Sequence, residues 1–201
     1  GTGGAQSVLP PRLATAVPSN FAGRADEHEV LRTAWKQTSV EVDRRVVLLA
    51  GEPGIGKTTL AASFAHEVHA DGGLVVYGRS DEGLGIPYQP WLEALGQLVD
   101  QVPDEVLVAH VADCGATLSR LVPALTRRVG VDDVGGASAG SGEIERYALF
   151  GCVADLVERV STDVPVLVVL DDLHWVDRQS LQLFRPLVTC GRPMRLVVLG
   201  T

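Results

Sequence analysis

One short segment constrains the fold of this chain more than any other. Residues 51–58 read Gly-Glu-Pro-Gly-Ile-Gly-Lys-Thr, a glycine-rich turn with a basic and a hydroxyl residue at its end. The turn follows an apolar, β-branched run at residues 46–50, which is typical of a buried strand. It precedes residues 57–70, in which large apolar residues recur every fourth position, as on one face of a helix. This order of strand, glycine-rich turn and helix predicts an α/β domain with a phosphate-binding loop.

The chemistry of the turn follows from its residue types. Glycines permit a backbone path that directs several N–H groups inward, and the positive end of the next helix adds to their attraction for phosphate. Lys57 is expected to reach the β and γ phosphates and to support catalysis, and the Thr58 hydroxyl is expected to bind Mg²⁺. Of the 17 lysine and arginine residues of the chain, Lys57 and Lys36 are the lysines. The presence of one of them where the loop requires a lysine argues against coincidence. The alternative is a glycine-rich turn that fits by coincidence, which the flanking strand and helix disfavour.

A second apolar run, residues 166–170, ends in two adjacent acids, Asp171 and Asp172. A buried strand that ends in a carboxylate suits the magnesium side of a phosphate site. We expect Asp171 to hold the metal, through water, and Asp172 to orient or polarise the attacking water as the catalytic acid. The alternative is that the two acids merely begin a loop, with Asp172 capping the next turn.

The paired acids also bear on the kind of reaction. A second acid beside the metal-binding one favours hydrolysis by water over transfer to a bound acceptor. Two alternatives stay open: a nucleotide-binding scaffold that does not hydrolyse, and a small-molecule kinase, for which the sequence has no separate acceptor signature. The chain has no Asn-Lys-x-Asp motif, which would specify guanine, and this favours ATP over GTP.

Three further polar residues lie near the predicted site. His174 could contact the γ phosphate or the metal shell, or pack against the end of the sheet. Asp177 is expected to cap the next helix. Arg79 should lie at the carboxyl edge of the sheet, where ligands bind in open α/β folds. It could approach phosphate there, or form a surface ion pair with Asp81 or Glu82.

Strand and helix patterns alternate along the whole chain. Such alternation predicts a mostly parallel sheet with helices on both faces, the three-layer α/β/α arrangement of a P-loop NTPase. The predicted strands are residues 46–50, 74–77, 166–170 and 196–199. The predicted helices are residues 26–38, 57–70, 90–102, two short ones within 104–129, 143–160 and 177–189.

The composition of two segments predicts little regular secondary structure. Residues 1–20, rich in Gly, Pro, Ala and Ser, predict a tag remnant, a linker or a flexible arm. Residues 130–142, rich in Gly, Ser, Ala and Asp, predict a mobile loop. The predicted ATPase domain therefore covers residues 21–201.

Charge and composition argue against some classes of binding partner. The net charge of the chain is −8, whereas domains that bind nucleic acid usually carry a basic surface. Direct nucleic-acid contact by this segment is therefore not expected. No apolar run approaches the ~20 residues of a membrane helix, so no membrane partner is expected. Three widely spaced cysteines, Cys114, Cys152 and Cys190, form no CxxC or Cys/His pattern. We expect them to be small buried hydrophobes in a reducing compartment, and the chain to be cytoplasmic.

Three sequence blocks together resemble a known family. They are Phe-x-Gly-Arg at residues 21–24, the loop extended to Thr59, and Leu-Asp-Asp-Leu-His-Trp-Val-Asp at residues 170–177. They resemble the AAA-like ATPase domain of the STAND class, the signal-transduction ATPases with numerous domains. The subgroup is similar to that of large bacterial LuxR-type transcriptional regulators and adenylate-cyclase-linked regulators. The third block is the most specific, and the resemblance covers about residues 20–201.

The resemblance implies an ATP-driven regulatory switch. In such proteins ADP holds an inactive state, an inducer permits exchange to ATP, and the protein then self-associates while a separate helix-turn-helix domain reads DNA. By position, it implies Asp171 as the metal acid, Asp172 as the catalytic acid and Arg24 near the base or ribose. The implied phosphate-loop residues are Gly51, Glu52, Pro53, Gly54, Ile55, Gly56, Lys57, Thr58 and Thr59.

The chain departs from the family pattern at one end. The family continues past the position of Thr201 into an arginine-bearing sensor segment, another strand and a winged-helix lid. We therefore expect a domain truncated before its lid, with the fourth strand between the two motif strands and one sheet edge open. Slow hydrolysis and self-association through that edge would follow.

Overall fold

The computed structural model describes residues 7–16, 24–83, 85–130 and 142–201. Its helices are α1 (Pro11–Thr15), α2 (Ala25–Glu41), α3 (Lys57–Ala70), α4 (Gln89–Gln101), α5 (Asp104–Cys114), α6 (Pro123–Val129), α7 (Gly142–Asp163) and α8 (Arg178–Thr189). Its strands are β1 (Arg44–Leu48), β2 (Leu74–Arg79), β3 (Val166–Asp171) and β4 (Leu196–Gly200). A short 3-10 turn spans Leu173–Trp175.

The four strands form one parallel sheet in the order β1-β4-β3-β2. Val198 of β4 is in register with Val46 on one side and Val168 on the other. The last strand therefore lies between the strand that leads into the glycine-rich loop and the strand that ends in the acids, as the resemblance implied. All four carboxyl ends meet at one edge, which is where ligands bind in open α/β folds.

Helices cover both faces of this sheet, and the predicted fold class is confirmed. Successive side chains of a strand point to opposite faces, so β2, β3 and β4 each contribute to two apolar layers. Val76, Val168 and Val198 belong to the layer that contains α4, α7 and α8. The neighbouring residues Val75, Leu167 and Val197 belong to the layer with α1, α2 and α3. Burial on both faces explains why these strands are continuous apolar runs.

Close packing of α4 on β2 depends on a glycine. A Cβ atom built on Gly78 would lie 1.7 Å from the carbonyl oxygen of Pro90, a distance no side chain can occupy. Helix α8 begins with the expected cap. The carboxylate of Asp177 accepts hydrogen bonds from the backbone N–H groups of Gln179 and Ser180, at 2.8 and 2.9 Å.

The structure corrects the predicted arm. Pro11–Thr15 forms a helix with Leu13 fully buried against α3, so this part of residues 1–20 is neither a linker nor extended. Burial of one leucine against a formed layer is a tertiary effect that local composition does not report. Residues 1–6, 17–23 and 131–141, which include most of the predicted loop at 130–142, lie outside the described residues.

The structure also shifts the first strand. It runs over Arg44–Leu48 instead of residues 46–50, because parallel pairing with β4 hydrogen-bonds the backbone of Arg44 and Arg45 whatever their side chains. Among the described helices, none combines the length and apolar character needed to cross a membrane.

Candidate nucleotide-binding site

The glycine-rich loop connects β1 to α3 at the carboxyl edge of the sheet. Gly56, the residue before α3, has φ of +92°, a left-handed conformation that favours glycine. No side chain caps the N-terminus of α3. The first-turn N–H groups of a helix have no intrahelical partner, so an uncapped N-terminus at a cavity is suited to an anion.

Lys57 folds back over this loop. Its Nζ donates to the backbone carbonyl oxygens of Gly51 at 3.0 Å and Glu52 at 3.2 Å. The ammonium group is therefore held directly above the loop by two neutral acceptors. A phosphate oxygen, which carries charge, would form the stronger hydrogen bond with it.

The structure brings Thr58 and Asp171 together from distant parts of the chain. The Thr58 hydroxyl donates to Asp171 Oδ1 at 3.0 Å, across a sequence separation of 113 residues. Thr58 lies in the first turn of α3 and Asp171 ends β3, so parallel strand order alone brings them to the same edge. A hydroxyl and a carboxylate side by side are oxygen ligands of the kind that Mg²⁺ takes.

Asp171 is 4% exposed and is held from several sides. Its Oδ2 accepts a hydrogen bond of 2.9 Å from the Tyr77 hydroxyl, and its Oδ1 accepts one from the Thr201 hydroxyl. Burial, together with the charge of Asp171, raises the pKa of Tyr77 well above its usual value, so this phenol remains a donor. Tyr77 and Thr201 therefore orient the carboxylate, and neither was predicted as a site residue.

Tyr77→Phe should destabilise the fold, because it removes a buried donor from a carboxylate. A hydrogen bond to a charged group contributes about 1.5–3 kcal/mol, and we expect the free energy of unfolding to fall by that amount in urea titrations. Tyr147→Phe is the matched control, since Tyr147 is 72% exposed, and it should leave stability unchanged. Equal stability of Tyr77→Phe and wild type would mean that this bond does not hold Asp171.

Asp172 adopts a left-handed conformation, with φ of +56°, at the first residue after β3. Its Oδ2 accepts from Arg79 Nε at 2.8 Å, while Asp81 Oδ1 lies 3.8 Å from the same nitrogen. The hydrogen bond to Asp172 raises the pKa of Arg79. Arg79 was predicted to meet either phosphate or Asp81 or Glu82. The structure contains the predicted ion pair with Asp81 and adds a closer one with Asp172. The second pair forms because Arg79 is in register with Asp171 on the neighbouring strand.

Arg24 contacts the loop from the amino-terminal side of α2. Its guanidinium donates to the backbone carbonyl oxygen of Ile55 at 2.7 Å. It therefore lies beside the phosphate loop, and the expected position near the base or ribose stays a prediction. Phe21, Ala22 and Gly23 of the same sequence block lie outside the described residues.

One cavity is lined by the glycine-rich loop, by Arg79 and by residues that follow β3. It has a volume of about 830 Å³. Its lining comprises Leu49, Ala50, Gly51, Pro53, Gly54, Gly56, Lys57, Thr58, Thr59, Arg79, Asp172, His174, Trp175 and Thr201. The His174 and Trp175 rings, whose centroids are 5.0 Å apart, form one wall. His174 therefore faces the cavity, which favours contact with a ligand over packing against the end of the sheet.

A strand of a parallel sheet, a glycine-rich loop, an uncapped helix N-terminus and a carboxylate at the end of another strand define a P-loop nucleotide-binding domain. The strand before the loop, β1, is half-exposed instead of buried as expected, because it pairs with β4 on one side only. The chain belongs to the AAA ATPase domain family, whose model matches residues 20–199. No curated protein and no solved structure matches the chain. Membership of this family gives the domain a nucleotide-binding ATPase function.

Proposed function

We propose that this domain binds ATP with Mg²⁺, hydrolyses it slowly, and serves as the regulatory switch of a multidomain bacterial transcriptional regulator. The observation that carries the proposal is the contact of Thr58 with Asp171, next to Asp172, in the cavity that the glycine-rich loop lines. It supports Thr58 and Asp171 as a metal ligand pair, with Asp172 as the catalytic acid beside them.

The loop and α3 would bind the phosphates. The N–H groups of residues 51–59 and the positive end of α3 attract the anionic chain, and Lys57 Nζ exchanges its loop carbonyl partners for β and γ oxygens. Arg24, which contacts the loop at Ile55, adds positive charge at the same place. The chain has no Asn-Lys-x-Asp motif, which favours ATP over GTP.

Thr58 and Asp171 fit Mg²⁺, since a hydroxyl and a buried carboxylate lie 3.0 Å apart. Thr58 would bind the ion directly and Asp171 through water, with Tyr77 and Thr201 fixing the carboxylate. When bound, the ion neutralises charge on the phosphate oxygens. ADP, which lacks the γ phosphate, would occupy the same loop.

Asp172 would orient the attacking water and accept its proton. In the described conformation its carboxylate is paired with Arg79 at 2.8 Å, and this pairing competes with contact to water. A carboxylate engaged in this way is consistent with slow turnover. The position of Asp172 in the cavity lining, beside the loop, favours hydrolysis over a scaffold that binds nucleotide without hydrolysing it.

The regulatory setting rests on the sequence blocks at residues 21–24 and 170–177 and on charge. A net charge of −8 disfavours nucleic-acid contact by this domain, so DNA would be read by another domain of the whole protein. The STAND class and the LuxR-type subgroup belong to this proposal, as do self-association, contacts with the other domains and a cytoplasmic location.

A switch must respond to the nucleotide that it holds. We expect sedimentation velocity to give a larger mean mass with Mg²⁺ and a non-hydrolysable ATP analogue than with Mg²⁺ and ADP, because only the first presents a γ phosphate. Lys57→Ala should abolish the difference. Identical sedimentation with both nucleotides, at concentrations that saturate the site, would contradict the switch while leaving the nucleotide site intact.

A further inference from the structure

A second polar cluster lies away from the nucleotide cavity, between α5 and α7. His110 and Cys114 are four residues apart on α5, and Cys152 and Asp155 are three apart on α7. These spacings place each pair on one face of its helix. The two helices pack against each other, so the four side chains meet at their interface.

The distances within the cluster are short. A ring nitrogen of His110, the Cys114 sulfur and a carboxylate oxygen of Asp155 all lie within 4.8 Å of one another. His110 Nδ1 is 2.8 Å from Asp155 Oδ2. The Cys152 thiol donates to the backbone carbonyl oxygen of Cys114 at 3.9 Å. All three cysteines are free thiols; Cys152 is buried, while Cys114 and Cys190 are half-buried instead of buried as expected.

His110 has a donor or acceptor that the fold leaves unused. Its side chain is fully buried, and its Nε2 has no hydrogen-bond partner among the described residues. Buried polar atoms nearly always have a partner, so this ring nitrogen without one needs an explanation. Burial lowers the pKa of His110, which keeps the imidazole neutral, the form that binds metals.

Burial raises the pKa of the Cys114 thiol to about 12. Metals bind the thiolate, so an ion held by Cys114 would displace the thiol proton. Soft thiolates with an imidazole and a carboxylate are a donor set that favours Zn²⁺.

Two arginines beside Asp155 would offset the negative charge of a cluster with bound Zn²⁺. Two thiolates, one carboxylate, one neutral imidazole and one Zn²⁺ together carry a charge of about −1. Arg159 Nε lies 2.7 Å from Asp155 Oδ2, and an Arg192 guanidinium nitrogen lies 3.4 Å from Asp155 Oδ1. These guanidinium groups would offset the excess charge and orient the carboxylate, as hydrogen-bonding partners of metal ligands commonly do.

We propose that His110, Cys114 and Asp155, with Cys152 beside them, form a Zn²⁺ site that joins α5 to α7. Tetrahedral Zn²⁺ holds its ligand atoms about 3.2–3.8 Å apart, so the 4.8 Å cluster must contract slightly on binding. α7 ends at Asp163 and β3, which ends in the acids of the nucleotide site, begins at Val166. The ion would therefore stabilise the helix that leads into this strand.

Co²⁺ is the probe for this site, because a cobalt–thiolate bond gives a near-ultraviolet charge-transfer band and a tetrahedral ion gives intense visible bands. We expect the wild-type chain, kept reduced, to develop both at one equivalent of Co²⁺ and to lose both when Zn²⁺ is added. The oxygen ligands Thr58 and Asp171 cannot produce the thiolate band. Absence of that band at excess Co²⁺ in the folded wild-type chain would overturn the proposal without any variant.

The variants assign the ligands. Cys114→Ser and Cys152→Ser should each remove at least half of the thiolate band, whereas Cys190→Ser should retain it, because Cys190 lies outside the cluster. Zn²⁺ at a hundredfold excess over its Kd should raise the Tm of wild type and Cys190→Ser by about 5–10 °C. A band that survives in both Cys114→Ser and Cys152→Ser, or an unchanged wild-type Tm, would show that the His110–Asp155 hydrogen bond merely joins two helices.

Discussion

Lys57→Ala should remove most of the affinity of this domain for ATP. In our account Lys57 Nζ leaves the carbonyls of Gly51 and Glu52 to bind β and γ oxygens, and no other side chain of the loop carries a positive charge. Two charge-assisted hydrogen bonds of ~1.5 kcal/mol each contribute about 3 kcal/mol, which corresponds to roughly a 100-fold rise in Kd. Titration calorimetry with Mg·ATP measures this change directly.

The chain offers a close control for this experiment. Lys36 is the other lysine, and it is exposed on α2, away from the cavity lining. Lys36→Ala removes the same charge and should bind Mg·ATP with the affinity of wild type. Unchanged affinity in Lys57→Ala, with folding verified by circular dichroism, would mean that the loop is not the phosphate site.

Asp172→Asn should abolish most phosphate release while leaving nucleotide binding nearly intact. The amide retains the size of the side chain and an oxygen for Arg79, but it cannot accept a proton from water. General base catalysis contributes about 10²- to 10⁴-fold, so turnover of Mg·ATP should fall by at least about 100-fold. A coupled assay for inorganic phosphate measures the rate, and calorimetry verifies that Kd stays within a few-fold of wild type.

Asp81→Asn is the matched control for this second variant. Asp81 is also an acid near Arg79, at 3.8 Å from its Nε, but it is absent from the cavity lining. It should retain the turnover of wild type. If wild type releases no more phosphate than Asp172→Asn, the domain binds nucleotide without hydrolysing it, and the scaffold alternative is correct.

Local patterns predicted the elements that their own residues determine. The bounds of α3, Lys57–Ala70, follow from the glycines that flank an amphipathic run, and the structure has the same bounds. Helix α1 was missed because it depends on the burial of Leu13 against α3, and short Pro- and Ala-rich stretches carry no periodic signal. The start of β1 was misplaced because pairing with β4, and not hydrophobicity, extends it over two arginines.

The loop and the paired acids were found from sequence because each is a contiguous motif. The contacts that position the two acids were not predicted, for a different reason. Tyr77 and Arg79 reach Asp171 and Asp172 because β2 lies beside β3, and Thr201 reaches Asp171 because β4 lies on the other side. Strand order and register decide these contacts, and no local pattern records them.

The cluster of His110 and Cys114 with Cys152 and Asp155 was missed for the same reason. Each helix contributes two residues at helical spacing, and a search for closely spaced cysteines finds nothing there. Only the packing of α5 on α7 brings His110, Cys114 and Asp155 within 4.8 Å of one another. A helical spacing of potential ligands on two separate amphipathic segments is the signal that would have indicated it.

The central claim is that the glycine-rich loop and the acid at the end of β3 form one site for Mg·ATP. A crystal structure with a non-hydrolysable ATP analogue and Mn²⁺, which gives an anomalous signal in place of Mg²⁺, tests it most directly. Our account predicts the Mn²⁺ peak about 2.1 Å from Thr58 Oγ1, with Asp171 in contact through water and Lys57 Nζ on the phosphates. Nucleotide bound elsewhere, or a metal peak away from Thr58 and Asp171, would contradict it.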